Sequence, residues 1–414
     1  MMGTAVLTVY SPFLSSRTDK SGCSPLCAVK EEFVKIWADT HARLTTVSRA
    51  TTTVSDQIGF SIYYYSVYVA FGREADKLLA LQLFNQLTAD LARSAAPTLS
   101  PEHAVGVAWL SARFAAAGHA EPGISSLLEA LDQRLFAEAQ GLLQQHKPLA
   151  RMDLFRTLRY FMLRQPDLVA GGYLWRTLQL LQGATAGSQY SRLQPTGLPN
   201  PVEQSTVLNL GLENGVAGEL LLLIKLQQAG ENHESLKEIV RQGIRYLLNT
   251  KREVDFSTGR YAVFPDDVSL ANQEATFSNE LSWRNSDLGH SLLLYEAHRL
   301  LADEELKKIA ELVGLNTLLR TDFRATAIHS SSFSQGASGV AHLYRRLYQA
   351  SGHESYQKGY TFWLNQTRSW LTQELATDLE TLRGEKDYQD LVRVSLVLLS
   401  AITPQELQWD EILL

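Results

Sequence analysis

The sequence predicts an all-α protein whose helices pair in two concentric layers and close into an α/α toroid (barrel). Three observations carry this. Amphipathic helical segments recur through most of the 414 residues. Segments that are apolar on almost every side alternate with them, which puts one helix type inside the other. No clear linker divides the chain, although domains usually run to about 150 residues, and a closed ring lets one domain grow this large. A linear helical solenoid of the same pairs is the competing architecture, but a solenoid's inner helices usually keep one wet face.

The first 30 residues are rich in Ser, Thr and Gly and lack a sustained period, so they read as a loose tail over 1–30. The helical domain spans 31–414. Apolar, glycine-bearing segments follow at intervals: Ile58-Gly-Phe-Ser-Ile62, Ala104-Val-Gly-Val-Ala-Trp-Leu110, a degenerate copy from Asp153 to Tyr160, Gly215-Val-Ala-Gly218 leading into Glu219-Leu-Leu-Leu-Leu-Ile224, Asp287-Leu-Gly-His-Ser-Leu-Leu-Leu294, Gln335-Gly-Ala-Ser-Gly-Val-Ala341, and Leu391 to Leu399. Their spacing of roughly 50 to 70 residues leaves room for two helices and their loops. The outer type is clearest from Glu234 to Thr250. There Leu236, Ile239, Val240, Ile244, Leu247 and Leu248 make an i, i+3, i+4 stripe, and Lys237, Glu238, Arg241, Gln242 and Arg245 fall opposite. Tyr356, Tyr360, Trp363, Leu364, Thr367 and Trp370 repeat the design after Gly352. From about 251 to 282 the helical period fails. Gly259, Pro265 and the alternating Tyr261 and Val263 predict a long loop at the mouth, with room for a short strand pair.

Composition narrows the function classes. Lysine plus arginine is 38 against 44 acidic residues, a net charge of −6, whereas nucleic-acid and membrane surfaces call for a basic face. The two cysteines, Cys23 and Cys27, are too few for a disulfide framework or a four-ligand structural zinc site. No run of about 18 apolar residues exists to span a membrane, and Met1 to Leu14 lacks the basic start of a secretory signal, so a soluble cytoplasmic protein is expected. No phosphate loop or dinucleotide fingerprint occurs. Gly336-Ala-Ser-Gly339 is not a nucleophile elbow, because Val340 stands where that motif needs glycine. His290, His329, His342 and His353 are ligands by type, yet no His-Glu-x-x-His or Cys-x-x-Cys spacing accompanies them. Asp266, Asp267, Glu274 and Glu280 crowd the mouth loop; paired carboxylates serve glycoside hydrolases, and a solvated acidic loop is the plainer reading.

Three segments carry a resemblance. Asn209-Leu-Gly-Leu-Glu-Asn-Gly-Val-Ala-Gly218 resembles Asn-Leu-Gly-Leu-Ala-His-Gly-Ile-Ala-Gly. Ser282-Trp-Arg-Asn-Ser-Asp-Leu-Gly289 resembles Ala-Trp-Cys-Tyr-Gly-Asp-Leu-Gly. Phe333-Ser-Gln-Gly-Ala-Ser-Gly-Val-Ala-His342 resembles Leu-Cys-His-Gly-Ser-Ala-Gly-Ile-Ala-His. These are elements of the lanthionine synthetase C-like proteins, the cyclases of lanthipeptide biosynthesis. The resemblance implies an α/α toroid of about seven inner and seven outer helices. It also implies a zinc ion at the mouth, held by two cysteines and a histidine, which activates a peptide thiol for addition to a dehydrated residue. A free thiol with a pKa of about 8.5 is mostly protonated at neutral pH, which is why that chemistry needs a metal.

At the zinc positions the resemblance implies, this chain carries Arg284, Ser334 and Gln335. A guanidinium is a fixed cation, and hydroxyl and amide groups are poor zinc donors, so no metal and no cofactor is expected. The histidine before the first glycine is Asn214, and Glu280 stands where the family has an arginine. If that stretch were helical, Glu280 and Arg284 would sit one turn apart, either as a charge pair replacing the metal's charge or as an ordinary exposed salt bridge. Asp153 aligns with a family aspartate, and a helix cap before Leu154 is the alternative reading. Asp390, Arg393 and Ser395 stand where the last repeat would carry glycine. The expectation is a zinc-free pseudo-cyclase that binds a precursor peptide or a lanthipeptide dehydratase. An active thioether cyclase using Arg284 and Asp153, and a plain interaction module, are the alternatives.

Overall fold

The computed structural model describes residues 25–49, 53–93, 99–119, 123–145, 148–165, 167–185, 207–229, 234–269, 271–376 and 388–413. The expected tail falls largely outside them, as does Cys23. The helix at the start of the described chain begins at Pro25, earlier than the sequence period places it. A proline suits a first turn, where its missing N–H has no partner to lose.

Among the described residues, seven helices each carry a long buried stretch: α2 (Val54–Phe71), α4 (Pro101–Ala116), α6 (Pro148–Arg164), α8 (Val216–Ala229), α10 (Asp287–Leu301), α13 (Ala337–Ser351) and α15 (Tyr388–Ile402). Seven others alternate with them: α1 (Pro25–Ser48), α3 (Glu74–Arg93), α5 (Ile124–Gln145), α7 (Leu168–Thr185), α9 (Glu234–Thr250), α11 (Glu304–Thr317) and α14 (Glu354–Ala376). A single turn, α12 (Phe323–Thr326), lies between α11 and α13. Each helix of the first series touches the next, from α2 through α4, α6, α8, α10 and α13 to α15, and α15 touches α2 again. The second series packs against the first, with α9 on α8, α11 on α10, α14 on α13 and α1 on α15.

Burial follows the two sequence patterns. Every residue of α8 from Val216 to Ile224 is buried, and so is every residue of α13 from Ala337 to Tyr344. Each enclosed Leu or Ile stabilises the fold by about 1.5–3 kcal/mol over exposure. α9 buries only its stripe, Leu236, Ile239, Val240, Gly243, Ile244 and Leu247. α13 stops at Gly352, whose φ of 71° lets its N–H reach back to the Tyr348 carbonyl. No described helix is long and apolar enough to cross a membrane.

The described residues between α9 and α10 hold no α-helix and one 3-10 turn, Phe256–Thr258. They include β2 (Asp267–Ser269) and β3 (Ala275–Thr276), and β2 also pairs antiparallel with β1 (Val207–Asn209), with Leu208 opposite Val268. The loop is fastened from below. The buried carboxylate of Asp287 accepts from the backbone N–H groups of Val263 (3.0 Å) and Phe264 (3.0 Å) and pairs with buried Arg320.

Candidate functional site

The loops entering α8, α10 and α13 are stitched edge to edge. The N–H groups of Leu212 and Glu213 donate to the Arg284 carbonyl at 2.9 and 3.2 Å. The Arg284 N–H donates in turn to the Ser334 carbonyl at 3.2 Å. The N–H of Phe333 donates to the Asp390 carboxylate at 2.8 Å, which fixes this row to the start of α15. Gly339 permits the arrangement, since a Cβ there would run into the Phe333 carbonyl and crowd Trp283. Trp283 and Phe333 are buried with rings in contact, centroids 4.9 Å apart. Arg284 and Gln335 are exposed and Ser334 is half-buried. The Ser334 hydroxyl donates to the Glu213 carboxylate at 2.7 Å.

The opposite side of the opening comes from α6. Arg156 donates to the Asn214 side-chain oxygen at 3.1 Å and pairs with Glu102 (3.0 Å) and Asp153 (3.5 Å). Asn214 holds its contact from a left-handed backbone, φ 60°, which asparagine tolerates better than most residues. Behind these groups lies a pocket open to solvent, whose polar wall includes Arg156, Arg159, Glu213, Asn214, Glu219 and Arg393. Burial, with the neighbouring charge of Arg156, pushes the Arg159 guanidinium down to about 10. Trp283, which lines the cavity, also contacts the His342 ring. The His342 Nε2 lies 3.0 Å from Asp410, and burial lowers its pKa against the pull of that carboxylate. Burial works to raise Asp410, but the His342 hydrogen bond and the charges of Arg346 and Lys225 hold it below the usual carboxylate range.

The structure brings Arg284, Ser334, Gln335 and Asn214 to one rim, with Asp153 attached through Arg156. Three expectations need correction. Arg284 and Glu280 form no ion pair among the described residues, because the stretch between them is not helical and the one-turn spacing does not arise. Glu280 lies instead near Asp266, which burial raises and whose pKa Glu280 raises further. Asp267 is also raised by burial, and Arg284 is among the groups that oppose this. Asp153 caps no helix: α6 starts at Pro148, so Asp153 sits inside it and pairs with Arg156 one turn on. His290 is no ligand candidate, since its two ring nitrogens face the Ser286 and Leu210 carbonyls at 3.1 and 3.0 Å.

Sequence reasoning missed Glu213, although it departs from the alanine of the resembled motif directly beside Asn214. It also missed Arg156 and Arg159, two cations three apart on α6. Arg393 was visible only as a lost glycine, with no hint of what it faces. Zinc does not fit the donors at this rim, because a guanidinium, an amide and a hydroxyl already given to Glu213 are poor zinc ligands. Among the described residues, no group of three or more His, Cys, Asp or Glu could hold a metal ion.

No match is found among curated proteins. Among solved structures, one described as nisin cyclase superposes with a TM-score of 0.66 at 14% identity, covering 93% of this chain and 97% of its own, and so shares the helical fold. The sequence pattern of the family described as lanthionine synthetase C-like protein matches residues 57–390. The chain therefore belongs to the lanthionine synthetase C-like family.

Proposed function

We propose that this chain is a zinc-free pseudo-cyclase of a modified-peptide pathway, which holds a precursor peptide, or the dehydratase that delivers it, against the rim of stitched loops. The circuit of contacts from α2 to α15 and back to α2 supports the closed α/α toroid of seven inner and seven outer helices. The observation that carries the functional reading is the bond from Ser334 to Glu213. The hydroxyl at a ligand position has acquired a carboxylate partner, and Arg284 beside it brings a permanent cation. A site rebuilt around its own hydrogen bonds is suited to recognition, since it offers no thiolate or imidazole to hold a metal that would deprotonate a thiol. The related nisin cyclase is named for action on a peptide, which supports a peptide as the ligand here.

Metal analysis of the purified full chain tests the first half. Under 0.1 zinc per chain is the outcome expected on the zinc-ligand argument, and one tightly held zinc per chain refutes it. The second half is tested by incubation with a dehydrated precursor peptide. Binding without thioether formation is expected, and ring closure abolished by Arg284→Ala would establish the cyclase reading in its place.

A further inference from the structure

Two arginines behind the rim form no ion pair among the described residues, although the charge of Glu102 acts on Arg159 from a distance. Arg393, half-buried on α15, has no hydrogen bond or ion pair among the described residues, though it lines the cavity. Arg159, on α6, donates from one terminal nitrogen to the Ile412 carbonyl at 3.3 Å, and its buried Nε has no hydrogen-bond partner among the described residues. The acids of the same wall are each committed: Glu102 to Arg156, Glu213 to Ser334, and buried Glu219 to an interaction of its own. A buried N–H donor without an acceptor, and a half-buried cation without an anion, are both costly to keep. Such groups persist where a ligand completes them. The planar guanidinium fork is matched to two oxygens of one anion.

We infer that Arg159 and Arg393 form a carboxylate subsite in the cavity behind the rim, taking an acidic side chain or the terminal carboxylate of the bound peptide. This rests on the peptide-binding reading and names what the peptide must carry. A single negative charge suits the wall better than a doubly charged phosphate, because Glu102, Glu213 and Glu219 lie in the same cavity. Arginine at 393, in place of the inner-helix glycine the resemblance implies, puts this charge where the family repeat has no side chain.

The test is titration of the full chain, followed by NMR and calorimetry, with four probes: N-acetylalanine, N-acetylglutamic acid α-amide, inorganic phosphate and the neutral N-acetylalanine amide. One of the two carboxylates is expected to bind saturably and the neutral amide not at all, and which carboxylate binds tells a chain terminus from an acidic side chain. R393Q and R159Q should each weaken that binding at least tenfold, and R393K, which keeps charge without the fork, should restore part of it. Circular dichroism and urea midpoints of the variants confirm that the fold is retained. Binding of neither carboxylate, equal binding of the amide, or an unaffected R393Q overturns the subsite. Phosphate binding tenfold tighter than both carboxylates overturns the carboxylate assignment. If the peptide-binding reading alone is wrong, N-acetylalanine or its glutamate counterpart still binds while the precursor peptide does not.

Discussion

The fastening of the mouth loop makes a sharp quantitative prediction. Asp287 is 3% exposed and Arg320 1%, so the pair is fully withdrawn from water. Asp287→Ala leaves Arg320 as a lone buried cation, a change that costs about 3–5 kcal/mol. It also strips acceptors from the N–H groups of Val263 and Phe264, each worth about 1–3 kcal/mol if left unpaired. The loop can rearrange to recover those N–H bonds, whereas the guanidinium has nowhere to go, so the lone charge dominates. Urea unfolding should therefore show a loss of about 3–5 kcal/mol for Asp287→Ala. Asp287→Leu combined with Arg320→Met should regain more than half of it, because the uncompensated charge is gone. Limited proteolysis should cut within 251–282 faster in both variants, since neither fastens the loop. A loss under about 1 kcal/mol for Asp287→Ala, or a double variant no better than the single one, would refute this account of what holds the rim in place.

Other outcomes follow from the same geometry. Gly339→Ala should destabilise by about 1–3 kcal/mol because the new methyl meets the Phe333 backbone. Gly141→Ala, in α5 with nothing near its Cβ, should stabilise by roughly 0.5–1 kcal/mol, and urea midpoints that fail to diverge would contradict the close-approach argument. His290 and His342 are lowered from 6.5 by burial, so the unfolded chain takes up protons that the folded chain refuses. Their contribution to stability is present above pH 6.5 and is lost as the pH falls from there toward their folded values, while the raised carboxyls of Asp266 and Asp267 act in the opposite sense at lower pH. Imidazole NMR should place both histidine midpoints below 6.5, and a midpoint at or above that value would be incompatible with their burial. Finally, the triple variant Arg284→Cys, Ser334→Cys, Gln335→His should take up about one zinc per chain where the parent takes up none, since these donor types suffice with one water. Failure to load zinc would mean that the three positions do not converge as ligands.

Periodicity and glycine placement made the helices legible. The stripe from Leu236 to Leu247 forms the buried face of α9, and even the degenerate segment from Asp153 to Tyr160 lies in a helix of the first series. The rim was legible where a local motif specified it, as for Asn214, Arg284 and Ser334. What escaped the sequence was pairing at long range. Arg156 and Asn214 lie 58 residues apart, and Ser334 and Glu213 lie 121 apart, distances over which no local pattern operates. The proposed Glu280–Arg284 pair failed for the complementary reason: it assumed helical spacing in a stretch whose backbone is held by Ser282 and Asn285 hydrogen bonding to one another.

The meeting of α2 and α15 has a consequence for biosynthesis. Gln389 donates to the Ser55 carbonyl at 2.7 Å across 334 residues of chain. A ribosome adding about 5–20 residues per second needs roughly 15–70 s to traverse that interval. During that time the side of α2 that α15 will cover is finished but unaccompanied. The nascent polypeptide thus carries an oily seam for most of its elongation, and its earliest helices are the ones a chaperone must shield longest.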